Sequence, residues 1–155
     1  MSSEAVKLND QQHPSVNVLS DILADTYFLY LKAHNFHWNV EGPRFRSLHN
    51  MFEEHYRDLW DSLDDIAERI RALGAYAPGT YAKFKARSSI VENEEIPTAE
   101  GMLDELIADN ETVIRNLRAA VARAEEQDDP ASADLLTGRL HAHEKQVWMM
   151  RSMRA

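Results

Sequence analysis

Histidines and carboxylates that could bind a metal lie on both sides of one turn in the chain. His37 precedes the Gly42-Pro43 break by about five residues and His49 follows it by about six, so two imidazoles are predicted at similar height on neighbouring helices. Glu53 lies one helical turn beyond His49. Imidazole nitrogens with carboxylate oxygens and no thiolate suit Fe(II), with Mn(II) and Zn(II) as alternatives, and carboxylates also stabilise Fe(III). The residue types therefore indicate a centre that binds and oxidises iron.

A second pair of carboxylates, Asp64 and Glu68, lies further along the same predicted helix. On a helical wheel this pair shares a stripe with His49 and Glu53, and the stripe is separate from the apolar face. Asp64 lies roughly 22 Å beyond His49 along the axis, too far for one metal to bind both within a chain. Two copies of the helix packed antiparallel about a two-fold axis would bring the pairs together. His37, His49 and Glu53 of one subunit would then face the second pair of its partner, twice per dimer.

Other sequence features bear on whether these residues form a metal site. Each candidate ligand taken alone is more simply a surface charge or a hydrogen-bonded histidine. Only their predicted position at one height across the interface favours a shared metal centre. Trp60 lies on the same stripe, and a large aromatic side chain away from the core is typical of a subunit interface. No E-x-x-H motif, which builds di-iron centres inside a single bundle, occurs in the chain. The sequence therefore predicts centres between subunits.

The elements that must position these residues are long helices. Glycine and proline are scarce, at five each, and apolar residues recur at spacings of three and four. This pattern predicts helices over about 16 to 40, over 45 to 74, from the cap Thr98 to the stop at Asp128-Asp129-Pro130, and from there nearly to the carboxyl end. The weaker pattern of 75 to 97 predicts a partly ordered connection with a short crossing helix. We expect an all-α, ferritin-like four-helix bundle, with one domain over 1 to 155 and a flexible tail over 1 to 14.

Composition limits the classes of function. The 155 residues carry 17 basic and 26 acidic side chains, a net charge of −9, and 44% of them are apolar, as in one soluble domain. No membrane span or signal peptide is predicted, so we expect a cytoplasmic protein. The absence of cysteine excludes disulfides, thiolate zinc sites and cysteine nucleophiles.

Binding to DNA is not expected from the charge distribution. The first thirteen residues contain only Lys7 against Glu4 and Asp10, and the two arginines near the carboxyl end, Arg151 and Arg154, stand beside a strongly acidic body. We expect no tight DNA binding at physiological salt. A protein that binds and compacts nucleoid DNA, with secondary iron chemistry, is the alternative function, and a purely structural helical oligomer is a third.

Three stretches of sequence resemble the Dps family of mini-ferritins. They are KAHNFHWNVEG at 32 to 42, F-x-x-L-H-x-x-F-E at 45 to 53 and DSLDDIAER at 61 to 69. The resemblance implies a hollow shell of twelve subunits with ferroxidase sites at its two-fold interfaces. It further implies oxidation of Fe(II), preferably by hydrogen peroxide and less efficiently by oxygen, and storage of the ferric mineral inside the shell.

The resemblance also implies roles for single residues. By position, His37, His49 and Glu53 match the family's metal ligands from one subunit, and Asp64 and Glu68 match those from its partner. Position 53 is often Asp in the family, and Glu is longer by one methylene. Trp38 matches an aromatic residue beside the site that could intercept oxidising equivalents; packing at the interface is the alternative.

Weaker features concern iron entry and further histidines. The family's three-fold pores are acidic, which points to Asp134 and also to Asp129, although both could instead stabilise the amino end of the last helix. His34 is either a group beside the site or, more simply, a surface histidine. His141 and His143 point about 200° apart on a helix and are expected at the surface.

Overall fold

Five α-helices make up the computed structural model, which describes residues 12–155. They are α1 Ser15–Asn39, α2 Phe45–Ala72, α3 Tyr81–Arg87, α4 Ala99–Glu126 and α5 Pro130–Arg154. The predicted all-α class and the short crossing helix are confirmed, and the described residues contain no strand. Most of the predicted flexible tail, residues 1 to 11, lies outside the part of the chain that the structure describes.

Two antiparallel hairpins pack against each other to form the bundle. The α1–α2 hairpin turns at Gly42, whose φ of +115° is a conformation that residues with a side chain rarely adopt. Helices α4 and α5 form the second hairpin, and α1 packs against α4 while α2 contacts α5. The core between them is fully buried and contains Phe36, Phe52, Leu59 and Leu117. The apolar faces predicted from spacing therefore meet in one core.

Capping residues fix where the second hairpin begins and turns. Thr98 accepts a hydrogen bond at its hydroxyl from the backbone N–H of Gly101, at 3.1 Å. Asp129 accepts one at its carboxylate from the backbone N–H of Ser132, at 3.2 Å. Both side chains satisfy amides that the first helical turn leaves without a partner. The predicted helix starts are confirmed.

The long crossover between α2 and α4 is anchored at its second half. Asp25 of α1 accepts hydrogen bonds from the backbone N–H of Ser89, at 2.6 Å, and from the hydroxyl of Ser88, at 3.1 Å. Lys32, also on α1 and buried, donates to the carbonyl of Val91 at 2.7 Å. The partly ordered connection expected from sequence is thus held in place here, because two buried charged side chains need the backbone groups of the crossover as partners.

A partly buried polar network joins α2 and α5. The guanidinium of Arg139 donates two hydrogen bonds to the carboxylate of Asp58, at 2.9 and 3.2 Å, and the amide of Gln146 donates a third at 3.0 Å. Burial raises the pKa of Asp58, but the Arg139 guanidinium outweighs it and holds that pKa below its ordinary value. The carboxylate is therefore ionised and paired, and it keeps some exposure to solvent.

The prediction that His143 lies at the surface is wrong. Its side chain is 1% exposed, and Nδ1 lies 2.8 Å from the amide oxygen of Asn110 on α4. Burial lowers the pKa of His143 to about 3. On α2, His55 is also buried, and its pKa is lowered to about 4 for the same reason. His141 is exposed as expected. The angle of about 200° between the two positions correctly predicted that the side chains lie on different faces of α5. It could not predict which of the two faces the core.

Within residues 12–155, none of the helices has the length and apolar composition needed to cross a membrane.

Candidate metal centre

The two histidines predicted as ligands meet across the α1–α2 hairpin. The rings of His37 and His49 stack with centroids 3.8 Å apart and an interplanar angle of 16°. Nδ1 of each ring lies 2.7 Å from the backbone carbonyl oxygen of the other residue. A carbonyl only accepts, so each Nδ1 carries a hydrogen and the neutral ring keeps a lone pair on Nε2. Both imidazoles are thereby set in the tautomer that ligates a metal through Nε2.

Glu53 lies one turn along α2 from His49, and its carboxylate is partly exposed. One oxygen accepts from the hydroxyl of Tyr56 at 3.5 Å and pairs with the guanidinium of Arg57 at 3.3 Å. Both contacts are long, and the ion pair is exposed, so they stabilise this carboxylate position only weakly. Glu53 therefore remains available to a cation.

The carboxylates predicted to come from the partner, Asp64 and Glu68, are exposed on α2. Trp60, on the same side of the helix, is 56% exposed. Among residues 12–155, no three histidine, aspartate or glutamate side chains of one chain are gathered closely enough to hold a metal ion. Within one subunit the structure thus brings the two histidines together and leaves the second carboxylate pair apart from them.

Aromatic rings surround the paired histidines. Trp38 is 60% exposed and its ring lies 3.9 Å from that of His34, which stacks at 3.9 Å on Tyr56. The hydroxyl of Tyr30 lies 3.0 Å from His34 Nδ1. Burial lowers the pKa of His34, and the neighbouring His37 lowers it further. His34 is therefore a group beside the site, and the simpler expectation of a plain surface histidine is wrong.

Tyr30 and Tyr56 are site neighbours that the sequence prediction missed. Tyr30, His34 and Trp38 recur every four residues on α1, which was a usable signal for a shared aromatic stripe. Tyr56 belongs to α2, and its ring lies 5.2 Å from that of His37 in an edge-on contact. That contact depends on how the two helices pack, which spacing along one helix does not specify.

The two candidate pore residues differ in their surroundings. Asp134 is exposed. Asp129 is buried and pairs at 2.8 Å with Arg69. Burial raises the pKa of Asp129, but hydrogen bonds from Ser132 and Arg69 outweigh it and lower that pKa to about 2. These contacts support the capping alternative for Asp129, whereas Asp134 keeps a free surface position.

Comparisons with known proteins identify the family to which this fold belongs. A family model described as a ferritin-like domain matches residues 16–155. DNA protection during starvation protein 2 of Bacillus anthracis is 39% identical over 137 residues, which cover 88% of this chain and 94% of that protein. The crystal structure of a Dps protein from Bacillus brevis is similar with a TM-score of 0.90 and 35% identity, covering 93% of this chain and 97% of that one.

A further solved structure links the fold to metal chemistry. The Dps protein of Vibrio cholerae O1, described as a member of a broad superfamily of ferritin-like diiron-carboxylate proteins, has a TM-score of 0.87 and 27% identity. The alignment covers 91% of this chain and 89% of that one. On the family model, the similar relatives and the shared fold, the chain belongs to the Dps family of ferritin-like proteins.

Proposed function

We propose that this protein oxidises Fe(II) at centres shared between two subunits and retains the ferric product inside a hollow assembly of twelve. The observation that carries the proposal is the reciprocal pairing of His37 and His49. Each ring donates its Nδ1 hydrogen to the other residue's carbonyl, which leaves a lone pair on each Nε2, and Glu53 lies one helical turn beyond His49 on α2. Such a set of nitrogen and oxygen donors suits iron in both oxidation states.

The remaining ligands come from a second subunit. Asp64 and Glu68 are exposed and lie too far along α2 to join the histidines of their own chain. An antiparallel pairing of two α2 helices, with Trp60 in the contact, supplies them in trans and builds two centres per dimer. Zn(II) and Mn(II) fit the same donors and would compete with iron.

The chemistry consumes two harmful reagents together. Two Fe(II) ions give one electron each to hydrogen peroxide, and with two protons the products are two Fe(III) ions and two water molecules. Because both electrons arrive at one centre, the peroxide is reduced without releasing hydroxyl radical. The relatives are named for DNA protection. We infer that this protein protects the cell from oxidative damage by removing Fe(II) and peroxide from the cytoplasm.

Ferric absorbance after addition of Fe(II), with peroxide and with oxygen in turn, tests the proposal alongside measurement of particle mass. His49→Ala and Asp64→Ala should each lose most of the rate, because each removes one ligand of every centre. His141→Ala and Asp65→Ala change exposed residues of the same types and should keep it. Unchanged rates in the first two variants would instead support a purely structural oligomer.

A further inference from the structure

Two ion pairs join the second half of α2 to α5. Asp58 of α2 pairs with Arg139 of α5 at 2.9 Å. Eleven residues further along α2, Arg69 pairs at 2.8 Å with Asp129, which caps the start of α5, and donates from Nε to the hydroxyl of Ser132 at 2.9 Å. Arg139 and Asp129 are buried. Along each helix an aspartate is therefore followed by an arginine, and the pairing is antiparallel.

The spacing of the two ion pairs fits a single register of the two helices. Asp58 and Arg69 are separated by roughly 16 Å along α2, at about 1.5 Å per residue, and Asp129 and Arg139 by roughly 15 Å along α5. A shift of one helix by that length would place two arginines, or two aspartates, side by side, and like charges repel. Attraction at two points and repulsion after such a shift therefore specify one height of α2 against α5.

The two ion pairs also fix the rotation of α2 from the side away from the candidate ligands. With His49 at 0°, Asp58 and Arg69 lie at about 180° and about 200° on a helical wheel. Asp64 and Glu68, which lie between them in sequence and are exposed, are at about 60° and about 100°. Ligand atoms about 6 Å from the helix axis move by roughly 2 Å when the helix rotates by about 20°. A metal centre needs its ligands held within about 0.5 Å, so this rotation matters.

We propose that Arg139 and Arg69 are positioning residues for Asp64 and Glu68, the carboxylates that one subunit supplies to the centre of its partner. This proposal rests on the proposed function. The two ion pairs set the height and the rotation of this stretch of α2. The other end of the helix is fixed separately, by the stacking of the two paired histidines across the hairpin. Loss of one ion pair should therefore disturb the carboxylate half of a centre and leave the histidine half in place.

Binding of Co(II) to the whole assembled protein measures the geometry of the centre without any reaction. Arg139→Met should weaken Co(II) binding by about tenfold, as the loss of a group that orients a ligand usually does, and should change the visible absorption of the bound ion. Arg118→Met is the matched control, because Arg118 forms an exposed pair with Glu144 between α4 and α5, and it should bind Co(II) like the unmodified protein. Arg139→Lys keeps the charge without the two parallel N–H groups and should show a smaller loss of the same kind.

Shells refolded from two different chains show which half of a centre is damaged. In a mixed dimer of Arg139→Met with His49→Ala, one centre combines the histidines of the first chain with the carboxylates of the second, so it is intact. A mixed dimer of Arg139→Met with Asp64→Ala has no intact carboxylate half. At low Fe(II), where Arg139→Met alone is slow, the rate of ferric absorbance should recover in the first mixture and not in the second. A chain that is only less stable would behave alike in both mixtures.

The outcomes separate this inference from the proposed function. Unchanged Co(II) binding in Arg139→Met, or any pattern other than recovery with His49→Ala alone, would overturn the positioning role while the unmodified protein still oxidises Fe(II). If the unmodified protein neither binds Co(II) nor oxidises Fe(II), the proposed function fails and this inference fails with it. Arg139→Lys carries the same test through both measurements if Arg139→Met does not fold.

Discussion

Centres shared between subunits can be tested by combining two damaged chains. The His49→Ala chain lacks a nitrogen ligand, and the Asp64→Ala chain lacks a carboxylate that its partner needs. In a mixed dimer, one centre draws its histidine from the second chain and its aspartate from the first, so it is intact, while the other centre carries both substitutions. Random pairing of equal amounts makes half the dimers mixed, so about one quarter of all centres should be intact. Centres built within one chain would all be damaged.

The assay is the initial rate of ferric absorbance in shells refolded from both chains, purified by two different affinity tags. We expect about one quarter of the unmodified rate from the mixture and little from either parent alone. Mixing His49→Ala with Asp65→Ala is the control, and about one half of its centres should be intact under either arrangement. A mixture of the first two chains that is no faster than its parents, while the control recovers, would refute the shared centre.

Three further results are expected from charge and burial. The folded pKa values of His55, about 4, and His143, about 3, lie below the ordinary histidine value, so the unfolded chain binds protons that the folded chain refuses. The free energy of unfolding should therefore fall as the pH drops below about 6.5, by about 2 kcal/mol per histidine near pH 5. Urea denaturation above about pH 6.5 and again near pH 5 measures this difference, and equal stability under the two conditions would contradict it. Lys32→Met leaves two carboxylates without their buried partner and should lower the free energy of unfolding by about 3 kcal/mol, against no change for the exposed Lys145→Met. Duplex DNA should show no mobility shift at about 150 mM salt without divalent metal, since the chain carries a net charge of −9, and a clear shift would count against this.

Local rules were enough to predict the helices and the meeting of the two histidines. Apolar spacing predicted α1 over about 16 to 40, against Ser15–Asn39 in the structure. His37 and His49 flank one tight turn at nearly equal distance, so antiparallel packing of the hairpin brings them together whatever the rest of the fold does. Signals of this kind act within one helix or across one turn, and a single sequence contains them in full.

Contacts between distant segments could not be predicted in the same way. Asp58 and Arg139 are 81 residues apart and pair between α2 and α5, and spacing along one helix cannot distinguish a paired charge from an unpaired one. For the same reason, the sequence analysis wrongly predicted His143 at the surface. Tyr30 and His34 share a stripe that is visible on α1, yet their contacts with Tyr56 depend on the packing of a second helix.

The Asp58–Arg139 pair gives a physical reason why the proposed metal centre lies between subunits and not between α2 and α5 of one chain. Arg139 already supplies the positive charge that Asp58 needs, so a metal ion there would have to displace a buried guanidinium and leave it unpaired. Asp64 and Glu68 are in the opposite situation, because they are exposed in a single subunit and would lose their solvation in the proposed dimer. A cation bound at that proposed interface would supply the missing counter-charge. Metal binding should therefore stabilise the contact between subunits, and that contact should strengthen metal binding, because Asp64 and Glu68 take part in both.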